Sequence, residues 1–246
     1  MNALILAAGY GTRLEQDLRG SEGYHQLLGV PKPLLPIGGR PLVSHWMSIL
    51  QSCKEIRDIY MVVNDANIDA FQHTRLGAVV CIDLAVRHFG IAGDLLVIAG
   101  DTLFHEGFNL EQLISRFRRA CSPADGGLVT YYTCRDEDTV KHGIIEIGDD
   151  GCVTQFLEKP HPNTTKSRNA CPCVYVFTST SLELIRHFLE EKKDAPLAER
   201  DAPGHFINYL YRKRRVHSFE VAGRFDVGGL QSYVECNDYF STWKSK

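Results

Sequence analysis

The sequence contains no long apolar run. No stretch of its 246 residues approaches the roughly 20 apolar residues that a membrane-spanning helix needs. The first residues carry neither the basic lead-in nor the long apolar core of a secretory signal. We therefore expect a cytoplasmic protein with no membrane partner, in which the eight scattered cysteines stay reduced.

A strong charge of one sign is also missing. The formal net charge is −3, and acidic and basic residues are interspersed, which argues against a nucleic-acid partner. The basic run 212–215 is typical of a solvated helix end. Cys171 and Cys173 form the only close cysteine pair, and without a matching second pair they are not expected to bind a metal.

The two most familiar phosphate-binding fingerprints are absent from the start of the chain. Residues 4–14 read Leu-Ile-Leu-Ala-Ala-Gly-Tyr-Gly-Thr-Arg-Leu, without the Gly-Lys-Ser/Thr of a P-loop or the third glycine of a dinucleotide motif. They do combine an apolar run with Gly9, Gly11 and Arg13, and the segment 31–37 adds a lysine between prolines. Backbone N–H groups freed by glycine, together with two cations, predict a phosphate cradle.

Apolar runs of strand length alternate with segments of helical periodicity. Strands are expected over residues 3–8, 59–63, 94–99, 127–133, 143–147, 152–157, 173–177 and 216–221. Helices are expected over residues 42–51, 75–89, 110–120, 181–192, 206–212 and 230–243. This alternation predicts an α/β fold with a doubly wound, mostly parallel, Rossmann-like sheet. The turn at residues 149–151 adds a small antiparallel lobe.

Two aspartates follow predicted strands. Asp101 comes after the strand 94–99, and Asp226 lies in the loop Arg-Phe-Asp-Val-Gly-Gly after the strand 216–221. Ligands of open α/β sheets bind at the carboxyl ends of strands, and Mg²⁺ prefers carboxylate oxygens there. Either aspartate alone is explained by capping, but the pair favours a magnesium site.

The strand 152–157 ends at Glu158, Lys159 and Pro160. Because proline blocks further ladder pairing, the chain turns outward and presents Lys159 at a rim. A surface ion pair would explain the same residues. Gly143 begins a strand where bare backbone can lie against a ligand, and Asn169 precedes the strand 173–177.

These segments together resemble the sugar-1-phosphate nucleotidylyltransferases, and the likeness continues through Gly100-Asp101, Glu158-Lys159-Pro160 and residues 225–228. The resemblance implies transfer of a nucleoside monophosphate from a nucleoside triphosphate to a sugar 1-phosphate, with release of pyrophosphate. It implies Mg²⁺ on Asp101 and Asp226, and catalytic roles for Arg13, Lys32 and Lys159. It implies substrate contacts at Leu6, Ala8, Gly9, Gly11, Thr12, Gly77, Gly143, Glu158 and Asn169.

The resemblance also implies a domain plan. Residues 1–246 are expected to form one nucleotidyltransferase domain that binds nucleotide up to about residue 135 and sugar from about residue 136. No β-helix is expected after it. The chain departs from the family at residues 66–73, which are too few for the helix, strand and loop found there in relatives. A second departure is Cys171-Pro172, which stands where glycine is usual and affects either the sugar specificity or the size of the pocket.

These departures keep other hypotheses open. One is a catalytically weak relative that binds a nucleotide or nucleotide sugar and regulates a partner. Another is an enzyme that accepts phosphocholine or a similar small phosphorylated compound. A glycosyltransferase is disfavoured because no Asp-x-Asp motif ends a central strand. The resemblance favours uridine or thymidine triphosphate with a hexose 1-phosphate, and a homo-oligomer is compatible with it.

Overall fold

The computed structural model describes residues 1–9, 11–64, 77–105 and 107–243. The strands are β1 (Asn2–Ala7), β2 (Pro36–Ile37), β3 (Arg40–Pro41), β4 (Ile59–Val63), β5 (Leu95–Ala99), β6 (Thr102–Phe104), β7 (Gly127–Thr133), β8 (Gly143–Ile147), β9 (Val153–Glu158), β10 (Asn169–Cys171), β11 (Val174–Phe177), β12 (Val216–Glu220) and β13 (Arg224–Asp226). The helices are α1 (Thr12–Arg19), α2 (Leu42–Ser52), α3 (Ala78–His88), α4 (Leu110–Ala120), α5 (Glu183–Glu191), α6 (Pro203–Leu210) and α7 (Leu230–Trp243).

The main sheet of the described residues has nine strands. β4, β1 and β5 lie parallel, β11 runs antiparallel between β5 and β7, and β12 is parallel to β7. β4, β1, β5, β7 and β12 therefore point the same way, with only β11 reversed among these six. Leu4, Ile5 and Val97 are fully buried, as expected for strands covered by helices on both faces. The predicted α/β fold with a mostly parallel core is confirmed.

The sheet forks beside β7. β11 and β10 both pair with β7, but the far edge of β11 pairs with β5 while that of β10 pairs with β8. Pro172 lies between β10 and β11, and because proline has no N–H it interrupts the ladder there. β10, β8 and β9 form the antiparallel lobe, and Gly151 supplies the positive φ of 76° in the turn between β8 and β9.

Some short elements were not predicted. α1 begins directly after Gly11, where the sequence indicated only a turn, and β6 and β13 pair as a small antiparallel ribbon. The helix predicted over residues 206–212 begins and ends earlier, at Pro203–Leu210. The first residues of the helix predicted over 75–89 lie outside the described residues, and α3 begins at Ala78.

Apolar side chains fill both faces of the main sheet. One cluster contains Trp46 and Leu113, from α2 and α4, and the other contains Ile82 and Phe206, from α3 and α6. Helices therefore cover both faces of the sheet. Within the described ranges, no helix combines the length and the apolar composition that crossing a bilayer demands.

Candidate functional site

The glycine-rich turn leads directly into helix α1. Gly11 precedes the helix with a φ of 65°, a left-handed conformation that glycine adopts without a Cβ clash. The stem of Lys32 lies over Gly11, and a Cβ there would be 3.5 Å from Lys32 Cγ. The turn and the lysine segment are therefore neighbours, as the sequence predicts for a phosphate cradle.

Asp101 lies where β1 and β5 end side by side. The N–H of Gly100 donates to the carbonyl of Leu6 at 2.8 Å, and a Cβ on Gly100 would be only 2.7 Å from that oxygen. The glycine thus allows the close approach that places Asp101 beside the turn. Lys32 Nζ lies 3.1 Å from Asp101 Oδ2, with 15% of the lysine side chain exposed. This ion pair joins the two predicted segments.

Asp226 reaches the same place through the β6–β13 ribbon. Asp226 lies opposite Thr102, and the N–H of Val227 donates to the carbonyl of Asp101 at 2.9 Å. Arg224, two residues earlier on β13, donates from Nη2 to Asp226 Oδ2 at 3.2 Å. A non-local strand pairing therefore brings both predicted metal ligands to one end of the sheet.

Arg13 is tied to the loop that follows Asp226. Its Nε donates to the carbonyl of Gly228 at 3.0 Å. One turn further along α1, Asp17 Oδ2 accepts from the N–H of Leu230 at 3.0 Å. Helix α1 and the Asp226 loop are thus held together at two points, which fixes the direction of the arginine.

An open pocket of about 260 Å³ collects these groups. Of the sequence-predicted site residues, the pocket is lined by Arg13, Asp101, Gly143, Glu158 and Asp226. Lys32 reaches it through Asp101. The pocket lies at the fork of the sheet, where Cys171 and Pro172 form part of its wall. Cations and carboxylates therefore face one space at the carboxyl ends of the parallel strands.

The lobe side of the pocket is shaped by two glycines around one aromatic ring. A Cβ on Gly143 or Gly204 would clash with the ring of Phe156, and one on Gly204 would also clash with the Glu158 carboxylate. Lys159 has a φ of 49°, the only positive value for a non-glycine residue among those described. Its side chain is 58% exposed and its Nζ lies 3.7 Å from Glu158 Oε1. Lys159 is thus held at the rim in an unfavourable backbone conformation, which is typical of functional sites.

The remaining predicted residues lie apart from this pocket's lining. Leu6 belongs to β1 and Asn169 to β10, while Ala8 and Gly9 follow β1 and Thr12 begins α1. Gly77, with a φ of 85°, is packed against Asp201, whose Oδ1 accepts from the N–H of Ala78 at 2.9 Å. The shortened segment 66–73 lies outside the described residues. The substrate contact at Gly77 stays a prediction.

Sequence reasoning missed several residues that line the pocket: Thr102, Lys141, His142, Phe156, Tyr175, Pro203, Gly204 and Arg224. Arg224 had a usable signal, because it stands two residues before Asp226 and residues at that spacing share a face of a strand. His142 had a weaker one, as the neighbour of Gly143. Gly204 had none, since α6 was predicted to begin after it.

Burial keeps His142, Cys173 and Tyr175 of the pocket in their neutral forms. Burial, and then the nearby Arg224 guanidinium, lowers the pKa of His142 to about 4. Burial raises the pKa of the Cys173 thiol to about 12 and that of Tyr175 above its ordinary value. Neither thiol nor phenol is therefore an ionised nucleophile at neutral pH. The chemistry of the pocket therefore depends on its basic side chains and carboxylates.

The donor set suits a hard divalent cation. Asp101 and Asp226 each engage a cation through Oδ2, and no described residue donates a hydrogen bond to either Oδ1. Across the described part of the chain, no group of three or more His, Cys, Asp or Glu side chains is arranged to hold a metal. Two carboxylates fit Mg²⁺, which is commonly bound by one or two carboxylates and completed by substrate phosphates.

Several known proteins resemble this chain in sequence or in fold. The chain is 27% identical over 267 residues to the glucose-1-phosphate thymidylyltransferase of Mycolicibacterium smegmatis, covering 98% of this chain and 83% of that protein. It is 26% identical over 258 residues to the bifunctional protein GlmU of Methanococcus vannielii, of which it spans 55%. The solved UDP-glucose pyrophosphorylase from Acinetobacter baumanii shares the fold, with a TM-score of 0.74 at 17% identity, covering 100% of this chain and 94% of that one.

The family model for nucleotidyl transferases matches residues 68–242. That range is more than half of the chain and contains both Asp101 and Asp226. The predicted resemblance is thereby confirmed at the level of the family and of the enzyme class. This chain belongs to the nucleotidyl transferase family of enzymes.

Proposed function

We propose that this enzyme transfers a nucleoside monophosphate from a nucleoside triphosphate to a sugar 1-phosphate, releasing pyrophosphate. The observation that carries the proposal is the convergence of Arg13, Asp101 and Asp226 on one pocket, with Lys32 bonded to Asp101. The relatives named glucose-1-phosphate thymidylyltransferase and UDP-glucose pyrophosphorylase support it.

The reaction joins two anions, so its main demand is charge neutralisation. The phosphate oxygen of the sugar 1-phosphate attacks the α-phosphorus of the triphosphate, and the bond to pyrophosphate breaks. The attacking oxygen is already ionised, so no protein nucleophile or general base is needed. Positioning and electrostatic stabilisation therefore supply the catalysis.

Each charged side chain has a role in this scheme. Arg13, fixed by Gly228, donates to the leaving pyrophosphate, since a guanidinium binds phosphate oxygens in a bidentate manner. Lys32 neutralises the α-phosphate, and Lys159 at the rim binds the incoming phosphate. Asp101 and Asp226 would hold Mg²⁺, which when bound offsets the negative charge of the two phosphate groups.

The lobe side of the pocket favours a ring-shaped acceptor. Gly143 and Gly204 let the Phe156 ring pack directly against their backbone, and that ring lines the pocket as an apolar wall against which a sugar ring can lie. Glu158 is half-buried there and can accept from a hydroxyl. A hexose 1-phosphate offers both features, whereas phosphocholine has no hydroxyl for the carboxylate.

The test is pyrophosphate release with Mg²⁺, using five nucleoside triphosphates against a panel of sugar 1-phosphates and phosphocholine. We expect release that requires one sugar phosphate and falls by about 100- to 1000-fold in Asp101→Asn, the size of effect seen when one stabilising group is removed. Release with phosphocholine alone would replace the sugar by that acceptor. Nucleotide binding without release across the panel would favour the regulatory relative.

A further inference from the structure

Arg224 is a buried cation whose role in the pocket is not explained by the chemistry above. Its side chain is only 7% exposed. Nη2 lies 3.2 Å from Asp226 Oδ2 and 3.0 Å from His142 Nδ1. The guanidinium carbon lies 5.8 Å from the centre of the Tyr132 ring, and Nε is buried without a hydrogen-bond partner.

The surroundings of Arg224 favour orientation over stability. A buried ion pair adds little stability compared with apolar packing, and this one leaves a donor unpaired. Because arginine only donates hydrogen bonds, His142 must accept through an unprotonated Nδ1. The guanidinium is therefore held on one side by a neutral ring and on the other by the carboxylate it orients.

The two aspartates are held differently. Asp101 is bonded to Lys32, a flexible side chain with a single terminal nitrogen. Asp226 is bonded to a planar group that is locked between His142 and Tyr132. A lysine can leave its partner when a phosphate arrives, whereas the enclosed guanidinium cannot turn away. Arg224 thus has the properties of a fixed support.

We propose that Arg224 is a positioning residue, which His142 and Tyr132 hold so that it fixes Asp226 through Oδ2 and leaves Oδ1 for a divalent cation. The inference rests on the proposed function, because it assumes that Asp226 is a metal ligand. It requires the planar shape of the guanidinium as well as its charge. Loss of either weakens the metal site.

The test measures Mn²⁺ binding to the whole chain without substrates, through the free-Mn²⁺ signal in electron paramagnetic resonance. Asp226→Asn defines the binding that depends on Asp226. Arg224→Lys keeps the charge, and Arg224→Met removes it. We expect both to weaken the Asp226-dependent binding by about 10- to 100-fold, as found for outer-shell partners of metal ligands. If the cation acted only by repelling the metal, Arg224→Met would bind more tightly and Arg224→Lys would be unchanged, which would overturn the proposal.

A second pair of variants avoids the loss of a buried charge. His142→Asn keeps an acceptor close to the place of Nδ1, and His142→Leu removes it. We expect His142→Leu to weaken Mn²⁺ binding and His142→Asn to restore most of it, with all variants first shown to be folded by circular dichroism. Equal binding in wild type, His142→Leu and Arg224→Lys would overturn the proposal while the metal site stands. Equal binding in wild type and Asp226→Asn would instead remove the metal site, and the inference with it.

Discussion

At the scale of single residues, the charged groups of the site are held by backbone contacts as much as by one another. Arg13 donates to the carbonyl of Gly228, and a Cβ on Gly228 would occupy the place of the arginine Nη2. Gly228 is not among the glycines with positive φ, so alanine is compatible with its backbone. The absence of a side chain there keeps room for the guanidinium.

Gly228→Ala is therefore expected to displace Arg13 and reduce kcat by about 100-fold, since small misplacements of catalytic groups have effects of that size. The thermal midpoint should change little, because the far end of a flexible side chain can move aside. Steady-state kinetics and thermal unfolding together check this. Gly23→Ala, at an exposed position with no heavy atom within 4 Å of the added Cβ, serves as the control, and an equal loss in both variants would contradict the explanation.

The lowered pKa of His142 predicts that the free energy of unfolding depends on pH. Its folded-state pKa is about 4, lowered from 6.5 by burial and Arg224, with Lys141 adding to the shift and Asp226 and Asp138 opposing it. Between pH 6.5 and 4 the unfolded chain binds a proton that the folded chain does not. Protonation of this histidine therefore leaves the free energy of unfolding unchanged above pH 6.5. As the pH falls from 6.5 to 4, it lowers that free energy increasingly.

We expect His142→Asn to reduce the slope of the unfolding free energy against pH. The reduction reaches up to about 1.4 kcal/mol per pH unit in the middle of the range from pH 6.5 to 4. Urea unfolding at pH 7, 5.5 and 4.5 compares the slopes of the unfolding free energy in wild type and variant. Parallel slopes would show that the pKa of His142 is the same in the folded and in the unfolded chain.

At the scale of elements, helix α3 is capped from a distant part of the chain. Asp201 lies just before α6, and its Oδ1 accepts from the N–H of Ala78 while its carbonyl accepts from Val79 at 3.3 Å. The following residues, Ala202 to Gly204, line the pocket. One carboxylate thus links the start of α3 to the wall of the pocket.

Asp201→Ala is expected to lower the free energy of unfolding by about 1 kcal/mol, the usual cost of losing a helix cap. Chemical denaturation measures it. Asp194→Ala provides the matched control, because Asp194 is exposed and surface substitutions away from such contacts stay within about 0.5 kcal/mol. A similar loss in both variants would show that the cap contributes nothing.

The length of an element decides whether the sequence could predict it. Strands at 59–63, 127–133 and 143–147 and the helix at 110–120 have the predicted bounds, because each has a long enough apolar run or helical period. The eight-residue α1 has only Leu14 and Leu18 buried, which is too little periodicity to detect. Three-residue strands such as β6 and β13 have none.

The residues of the candidate site also differ in how far local sequence identifies them. Asp101 and Lys32 were identifiable because each stands beside a strand end or a glycine turn that local sequence predicts. Arg224 had only its spacing from Asp226 as a signal and His142 only its place beside Gly143, since their meeting depends on β13 pairing with β6 and β8 pairing with β10. Those pairings join residues far apart in the chain, and no local pattern encodes them.

At the scale of the whole molecule, one pocket is lined by residues of nine elements: α1, β5, β6, β8, β9, β10, β11, α6 and β13. Ligand binding should therefore stabilise the entire fold. At 100 times its Kd, the correct triphosphate with Mg²⁺ adds about 2.7 kcal/mol, which for a chain of this size raises the thermal midpoint by about 5 to 11 °C.

Thermal scans with each triphosphate should show this rise for the preferred base, and a smaller one in Asp101→Asn. The corresponding nucleoside, which lacks phosphates, is the control. Equal stabilisation by the nucleoside and the triphosphate would contradict a site built around phosphate.

The fork in the sheet also limits how this chain can change length. Ala170 lies opposite Tyr132, and Tyr175 lies opposite Val129. The chain therefore advances five residues from β10 to β11 while the neighbouring strand β7 advances three. The surplus is two residues, and because side chains alternate with period two, every side chain keeps its face. Insertions or deletions between Ala170 and Val174 should therefore be tolerated in pairs. A single added residue would turn β10 over, exposing Ala170, which is now fully buried, and turning Asn169 inward.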